Sequence, residues 1–181
     1  MTKKLVVLGF LALVMTATAA DAQKRSTAST ARPIELGMDG GISVGFDDPN
    51  VTTVSLPVQA LRVGFFMNDN ISLEPRFNFN SVSGGGVSVR SYSMELGALY
   101  HLGGYAKGSG VYVRPFAGIA GVGGDLGSGS DGFIGAGAGV KLPFANRRLA
   151  TRLEANLGHA FSDGGGSNGL GVLFGVSLFH R

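Results

Sequence analysis

Between Ile34 and Phe46 the chain alternates strictly, with Ile34, Leu36, Met38, Gly40, Ile42, Val44 and Phe46 on one phase and Glu35, Gly37, Asp39, Gly41, Ser43 and Gly45 on the other. A two-residue period marks a β-strand with one apolar and one polar face. Seven more segments repeat it before the chain ends. Each runs about 10 to 13 residues, which at a rise of about 3.3 Å and a tilt of about 40° covers roughly 25 to 33 Å, the depth of a bilayer core. One segment means little; eight predict an all-β chain folded as an eight-stranded antiparallel up-and-down transmembrane β-barrel.

The polar phases decide between this barrel and a water-soluble sandwich or lipocalin-like barrel, whose apolar face would point inward. Strands with a water-facing side carry Lys, Glu and Thr at a density that keeps them soluble. Here charged residues are only 15% of the chain and glycine reaches 31 of 181 residues. The phases place Glu35, Asp39, Glu74, Glu95 and Glu154 against Arg62, Arg76, Arg114, Lys141 and Arg152, five acids against five bases. Balanced charges on faces otherwise built of Gly, Ser and Asn suit an enclosed lumen, where an unpaired ion is costly.

The N-terminus reads as an export signal. Lys3 and Lys4 precede an apolar run from Leu5 to Met15, too short for a membrane helix, and then small residues to Ala22. Ala17-Thr18-Ala19 and Ala20-Asp21-Ala22 both fit a cleavage site. Residues 1–22 are assigned as signal peptide, 23–33 as a flexible polar leader on the periplasmic side, and 34–181 as the barrel. No later apolar stretch approaches helix-spanning length. The chain has no cysteine, so no disulfide or thiolate metal set is available. A net charge of +3, with no basic run longer than Arg147-Arg148, gives no support to a nucleic-acid partner.

Turn chemistry separates the strands. Loops are expected at 47–50, 68–70, 81–87, 103–110, 121–132, 146–148 and 163–169, where Gly, Ser, Asn and Asp cluster. In the second strand the apolar phase changes between Val58 and Leu61, which beside Pro57 predicts a β-bulge. Pro75 and Pro115 fall on lipid-facing phases and suggest further local bulges. An even strand number puts both termini on one side, taken as the periplasm. Aromatic girdles are expected from Phe46, Phe79, Tyr92 and Phe161 at the outer edge, and from Phe65, Phe66, Tyr100, Phe144 and Phe179 at the periplasmic edge.

Ordered by height, the inward residues predict a salt-bridged plug in the periplasmic half and middle, and above it a shallow, uncharged vestibule lined by Ser43, Asn78, Asn80, Ser91, Ser93 and Asn156. The glycines of Gly135-Ala136-Gly137-Ala138-Gly139 make room for arginine side chains from neighbouring strands. An eight-strand barrel is about wide enough for side chains to fill it, whereas an aqueous porin needs about 16 strands. His101, His159 and His180 lie far apart and form no metal motif. His159 and Ser162 beside Asp163 near the outer rim suggest hydrolase chemistry only weakly, since His159 falls on the lipid-facing phase. No catalytic, cofactor or metal site is assigned.

The segment Leu61-Arg62-Val63-Gly64-Phe65-Phe66 with its short turn to Leu73-Glu74-Pro75, the run Val113-Arg114-Pro115-Phe116-Ala117-Gly118, and the terminal Gly175-Val176-Ser177-Leu178-Phe179 are similar to the small eight-stranded outer-membrane β-barrel proteins of the OmpA/OmpX type. The resemblance spans the chain from about Ile34 onward. It implies a monomer in the outer membrane of a Gram-negative bacterium, in contact with outer-membrane lipid, and a last strand read by the barrel-assembly machinery; here His180 and Arg181 follow the terminal aromatic. The expected role is non-enzymatic, in envelope structure or surface interaction. The alternatives are a narrow small-solute channel and a lipid-modifying enzyme.

Overall fold

The structure, a computed structural model, describes residues 34–46, 52–102, 110–125, 127–144, 148–162 and 165–180, with the backbone alone for 52–59. The expected signal peptide and leader, and the turns at 47–50, 103–109 and 145–147, lie outside the described residues. Eight strands follow one another: β1 (Ile34–Gly45), β2 (Thr52–Phe66), β3 (Ile71–Gly84), β4 (Val87–His101), β5 (Val111–Gly124), β6 (Gly129–Pro143), β7 (Leu149–Ser162) and β8 (Gly165–His180). Each pairs antiparallel with its neighbours in sequence, and β1 pairs with β8 from Ile34↔His180 to Gly45↔Gly169, closing the barrel. Among the described residues no helix is long and apolar enough to cross a membrane; this chain crosses with strands.

Burial settles which face is which. Leu36 is 49% exposed, Leu153 53% and Val176 50%, while Glu74 and Arg152 are 1% and 2% exposed. A protein folded in water would invert those figures. The apolar phase is therefore the lipid face, and the core is the lumen.

Several strands run longer than their composition suggested. The segment 81–87 is a loop only at Gly85 and Gly86, whose φ of 59° and 84° suit a two-residue hairpin turn. The segment 121–132 narrows to 125–128, and 163–169 to the two residues between Ser162 and Gly165. Gly and Ser have little intrinsic preference for strand, yet an antiparallel ladder is made of backbone hydrogen bonds and continues as long as a partner runs alongside. With 12 to 16 residues per strand, the wall stands roughly 30 to 40 Å tall by the same rise and tilt, above an apolar band of about 25 Å. The excess projects from the end remote from the termini, called here the far end.

The irregularity in β2 falls between Ser55 and Ala60. Asp39↔Ala60 is followed by Gly41↔Ser55, so Gly40 faces the four residues 56–59, a larger insertion than a single-residue bulge. Pro75 and Pro115 make no bulge. The β2–β3 ladder skips from Arg62↔Arg76 to Phe65↔Leu73, and β4–β5 from Gly97↔Phe116 to Tyr100↔Val113, with equal counts on both strands. A missing proline amide interrupts the ladder on one side without shifting its register.

The exposed Ala155, between Leu153 and Leu157 on β7, tests the face assignment. Ala155→Arg is expected to cost about 2 to 4 kcal/mol in urea unfolding from phospholipid vesicles. Ala155→Leu should leave the unfolding midpoint within experimental error.

Candidate functional site

Inward positions on β1 to β7 carry charge, and their side chains meet across the lumen in a closed circuit of alternating sign. Arg62 forks onto Asp39, Nε to Oδ2 at 3.0 Å and Nη2 to Oδ1 at 3.2 Å, and reaches Glu74 at 3.4 Å. Glu74 takes Arg152 at 2.7 Å; Arg152 pairs with Glu154 at 2.5 Å. Glu154 holds Arg114 at 2.6 Å, Arg114 pairs with Glu95, and Glu95 faces Arg76 at 3.5 Å. Arg76 returns to Asp39 at 3.3 Å. Glu35 branches off this ring, joining Arg62 to Lys141, whose Nζ donates to Glu35 at 2.5 Å. Strand β8 adds the Ser177 hydroxyl, which accepts from Arg62 Nη2 at 3.0 Å.

Alternation lowers the cost of burial. Removing one ion from water costs several kcal/mol even after relaxation, and one partner repays that only in good geometry. Here every carboxylate lies within 4 Å of at least two cations. Arginine dominates because its planar fork engages two acceptors at once. The ring is not uniform. Arg76 makes only the longer pairs, and its Nε and Nη2, like Arg152 Nε, have no hydrogen-bond partner.

Inward glycines supply the space. A side chain at Gly37 would meet the Arg62 guanidinium, at Gly97 Arg114, at Gly137 the Glu154 carboxylate and at Gly175 the Asp39 carboxylate. The expectation that Gly135 to Gly139 accommodate arginines is corrected: they face Phe116, Glu154 and Tyr112.

An aromatic layer lies under the ring, towards the termini. Phe66 stacks on His101 with centroids 5.5 Å apart and leans on Phe179 at 6.4 Å, while His101 meets Tyr112 at 6.0 Å. Ser72 Oγ lies 3.0 Å from His101 Nε2, and the Tyr112 hydroxyl donates to Glu154 at 2.8 Å. Lys141 sits over Tyr112 and Phe66, and Arg152 over Tyr112, at cation–π distances. Phe66 and Phe179, expected in the girdle, are therefore inside, 7% and 5% exposed. Their phase settles it: Phe65 and Leu178 take the lipid side, so their neighbours must point inward. Phe46, Phe65, Phe79, Tyr92, Tyr100 and Phe144 face outward and are exposed, and Phe161 is half-buried edge-on to His159.

Towards the far end the lumen opens into a cup. Asn78, Ser91 and Ser93 share one hollow of about 410 Å³ with Val122, Asp131 and Phe133. Ser43, Asn80 and Asn156 do not line it; Asn156 lies against Gly171. The vestibule is thus neither uncharged nor uniformly polar. Asp131 falls inside the expected loop 121–132 and Phe133 just beyond it, but their odd numbers continue the inward phase of Gly135, Gly137, Gly139 and Lys141, the signal that locates them.

His159 and Ser162 do not come together as a base and nucleophile. His159 Nδ1 is 2.9 Å from Asn168 Oδ1, and the Ser162 hydroxyl donates to the Gly165 carbonyl. Asp163 lies outside the described residues. Among the described residues no group of three or more His, Asp or Glu is placed to hold a metal ion.

With this geometry in view, a family model described as the outer membrane protein β-barrel domain matches residues 9–178. The chain belongs to this family. Membership makes it an outer-membrane barrel protein. One solved structure agrees on the fold. Neisserial surface protein A (NspA) aligns at a TM-score of 0.56 and 12% identity, over 80% of this chain and 96% of that one. Ail of Yersinia pestis aligns at 0.48 and 12% identity, over 83% and 100%. The N-terminal β-barrel domain of Pseudomonas aeruginosa OprF aligns at 0.43 and 19% identity, over 80% and 97%. No curated protein matches the chain.

The ring makes a graded prediction for this family member. Arg62→Met leaves Glu35 with Lys141 alone and Asp39 with the loosely held Arg76 alone, and is expected to cost about 3 to 5 kcal/mol in unfolding from vesicles. Arg76→Met, at the loosest link, should cost less than half as much.

Proposed function

We propose that the protein is a non-enzymatic, monomeric outer-membrane barrel whose lumen is closed to solutes, serving envelope structure or surface interaction. The circuit of eight alternating charges carries this reading. Water or a permeant ion entering it would have to separate buried pairs whose partners are then left uncompensated, and the layer of Phe66, His101, Tyr112 and Phe179 fills the lumen beneath. A cross-section of eight strands leaves no spare bore around them.

In this reading both termini face the periplasm, the far end faces outward, outer-membrane lipid surrounds the apolar phase, and β8 engages the barrel-assembly machinery during insertion. The loop composition favours the orientation: Asp47, Asp48, Asp125, Asp131 and Asp163 belong to far-end segments, while Lys107, Arg147 and Arg148, with the single acid Asp69, belong to those near the termini. The separate engagement of His159 and Ser162 speaks against the lipid-modifying alternative.

Planar-bilayer recording of the refolded protein is expected to give no discrete conductance steps. Reproducible small steps would replace this reading with the narrow channel. Lipid A profiles of cells expressing the protein should be the same for His159→Ala and Ser162→Ala as for the unaltered chain; a product lost in either variant would establish the enzyme.

A further inference from the structure

We propose that the far-end cup binds a small organic cation bearing an apolar group, of the alkyl- or aryl-ammonium class. The first observation is an anomaly of phase. Among the described side chains the large exposed apolar residues of the strands lie on the lipid side, except for Val82 (65% exposed), Val87 (42%), Val89 (38%) and Val122 (55%), which lie on the inward phase of β3, β4 and β5. Val82 is directly across from Val89, and Val122 is across from Ser91, the next residue of β4 on that face. The valines therefore form one stripe over three strands. It is exposed, at positions where Ser or Asn would cost nothing to hydrate.

The stripe runs into space large enough for a ligand. A hollow of about 360 Å³ lined by Val89 and Val122 adjoins the hollow of about 410 Å³, the two sharing Val122 and Gly129. Either volume falls in the range of small-molecule sites. At the bottom lies Phe133, seated over Gly118 and edge-on to Phe116 at 6.3 Å, while Arg114 lies 4.5 Å from the Phe116 ring centroid. Phe133 itself lines the hollow of about 410 Å³.

Charge selects the occupant. Among the described residues Asp131 is the one ionisable carboxylate on the walls, with Asn78, Ser91 and Ser93 as neutral hydrogen-bonding groups, and neither hollow is lined by Lys or Arg. An anion would face a carboxylate with no cation to hold it. An ammonium group beside Asp131 meets both the carboxylate and the ring of Phe133, and its alkyl or aryl part covers the valines.

Benzyltrimethylammonium tests this against benzenesulfonate, an anion of similar size, on the full barrel in phosphatidylcholine nanodiscs with valine-methyl NMR as the readout. The ammonium is expected to shift the Val89 and Val122 methyls saturably, and the sulfonate to bind at least about ten-fold more weakly. Asp131→Asn should weaken the ammonium about five-fold, and Val122→Ser should weaken it as well, with heat-modifiable gel migration of both variants unchanged. The proposal fails if the shifts never saturate, if the anion binds as well as the cation, if Asp131→Asn or Val122→Ser has no effect, or if the lipid-facing Val172 and Val176 methyls respond in place of the cup.

Discussion

The structure depends on one constraint: ten charged side chains share a space shielded from solvent, so each must be answered by opposite charge from another strand. The circuit from Asp39 through Arg62, Glu74, Arg152, Glu154, Arg114, Glu95 and Arg76 meets it. Its links tie strands far apart in sequence, as when Arg152 on β7 grips Glu74 on β3. In a membrane, lipid tails are as apolar as leucine, so burying the outer face against protein offers little drive for strands to find one another. Backbone pairing closes the wall, and the charges specify what fills it.

That role explains the composition of the inner face. A ring of long side chains fits an eight-strand lumen only if many inward neighbours are small, because lumen area is set by strand number and every arginine occupies part of a neighbour's share. Gly37, Gly97, Gly137 and Gly175 are the complements of Arg62, Arg114, Glu154 and Asp39. At these four positions glycine, whose abundance in a chain without this periodicity would suggest disorder, reflects how tightly the lumen is packed.

Much of this was legible in the sequence because a strand's period of two is simple and the two environments differ so sharply. The alternation from Ile34 to Phe46 and its repeats fixed strand number and the lipid face, and the phases brought out five acids and five bases. Which carboxylate meets which guanidinium was not legible, since that depends on stagger between strands, and stagger is set by the ladders of the closed sheet. Phe66 and Phe179 were misplaced because terminal aromatics were read by type, though Phe65 and Leu178 already claimed the lipid side. Asp131 was misplaced because the glycine and serine around it looked like a loop, while the ladder from Val111↔Val140 to Val122↔Gly129 carried the strand through.

The projecting wall links these errors. Past the bilayer, lipid no longer demands apolar residues outside, and the ring no longer demands charge inside, so neither constraint that made the sequence readable applies. What remains is the hydrogen-bonded hairpin itself, which continues to Gly85 and Gly86 and leaves the choice of inward side chain free. Val82, Val89 and Val122 occupy positions that neither membrane nor plug dictates. Cross-strand packing of Val82 on Val89 accounts for part of that choice; it does not account for Val122, which faces Ser91 and borders both hollows. Apolar area at that position costs hydration until something covers it, and the adjoining carboxylate of Asp131 restricts what that can be.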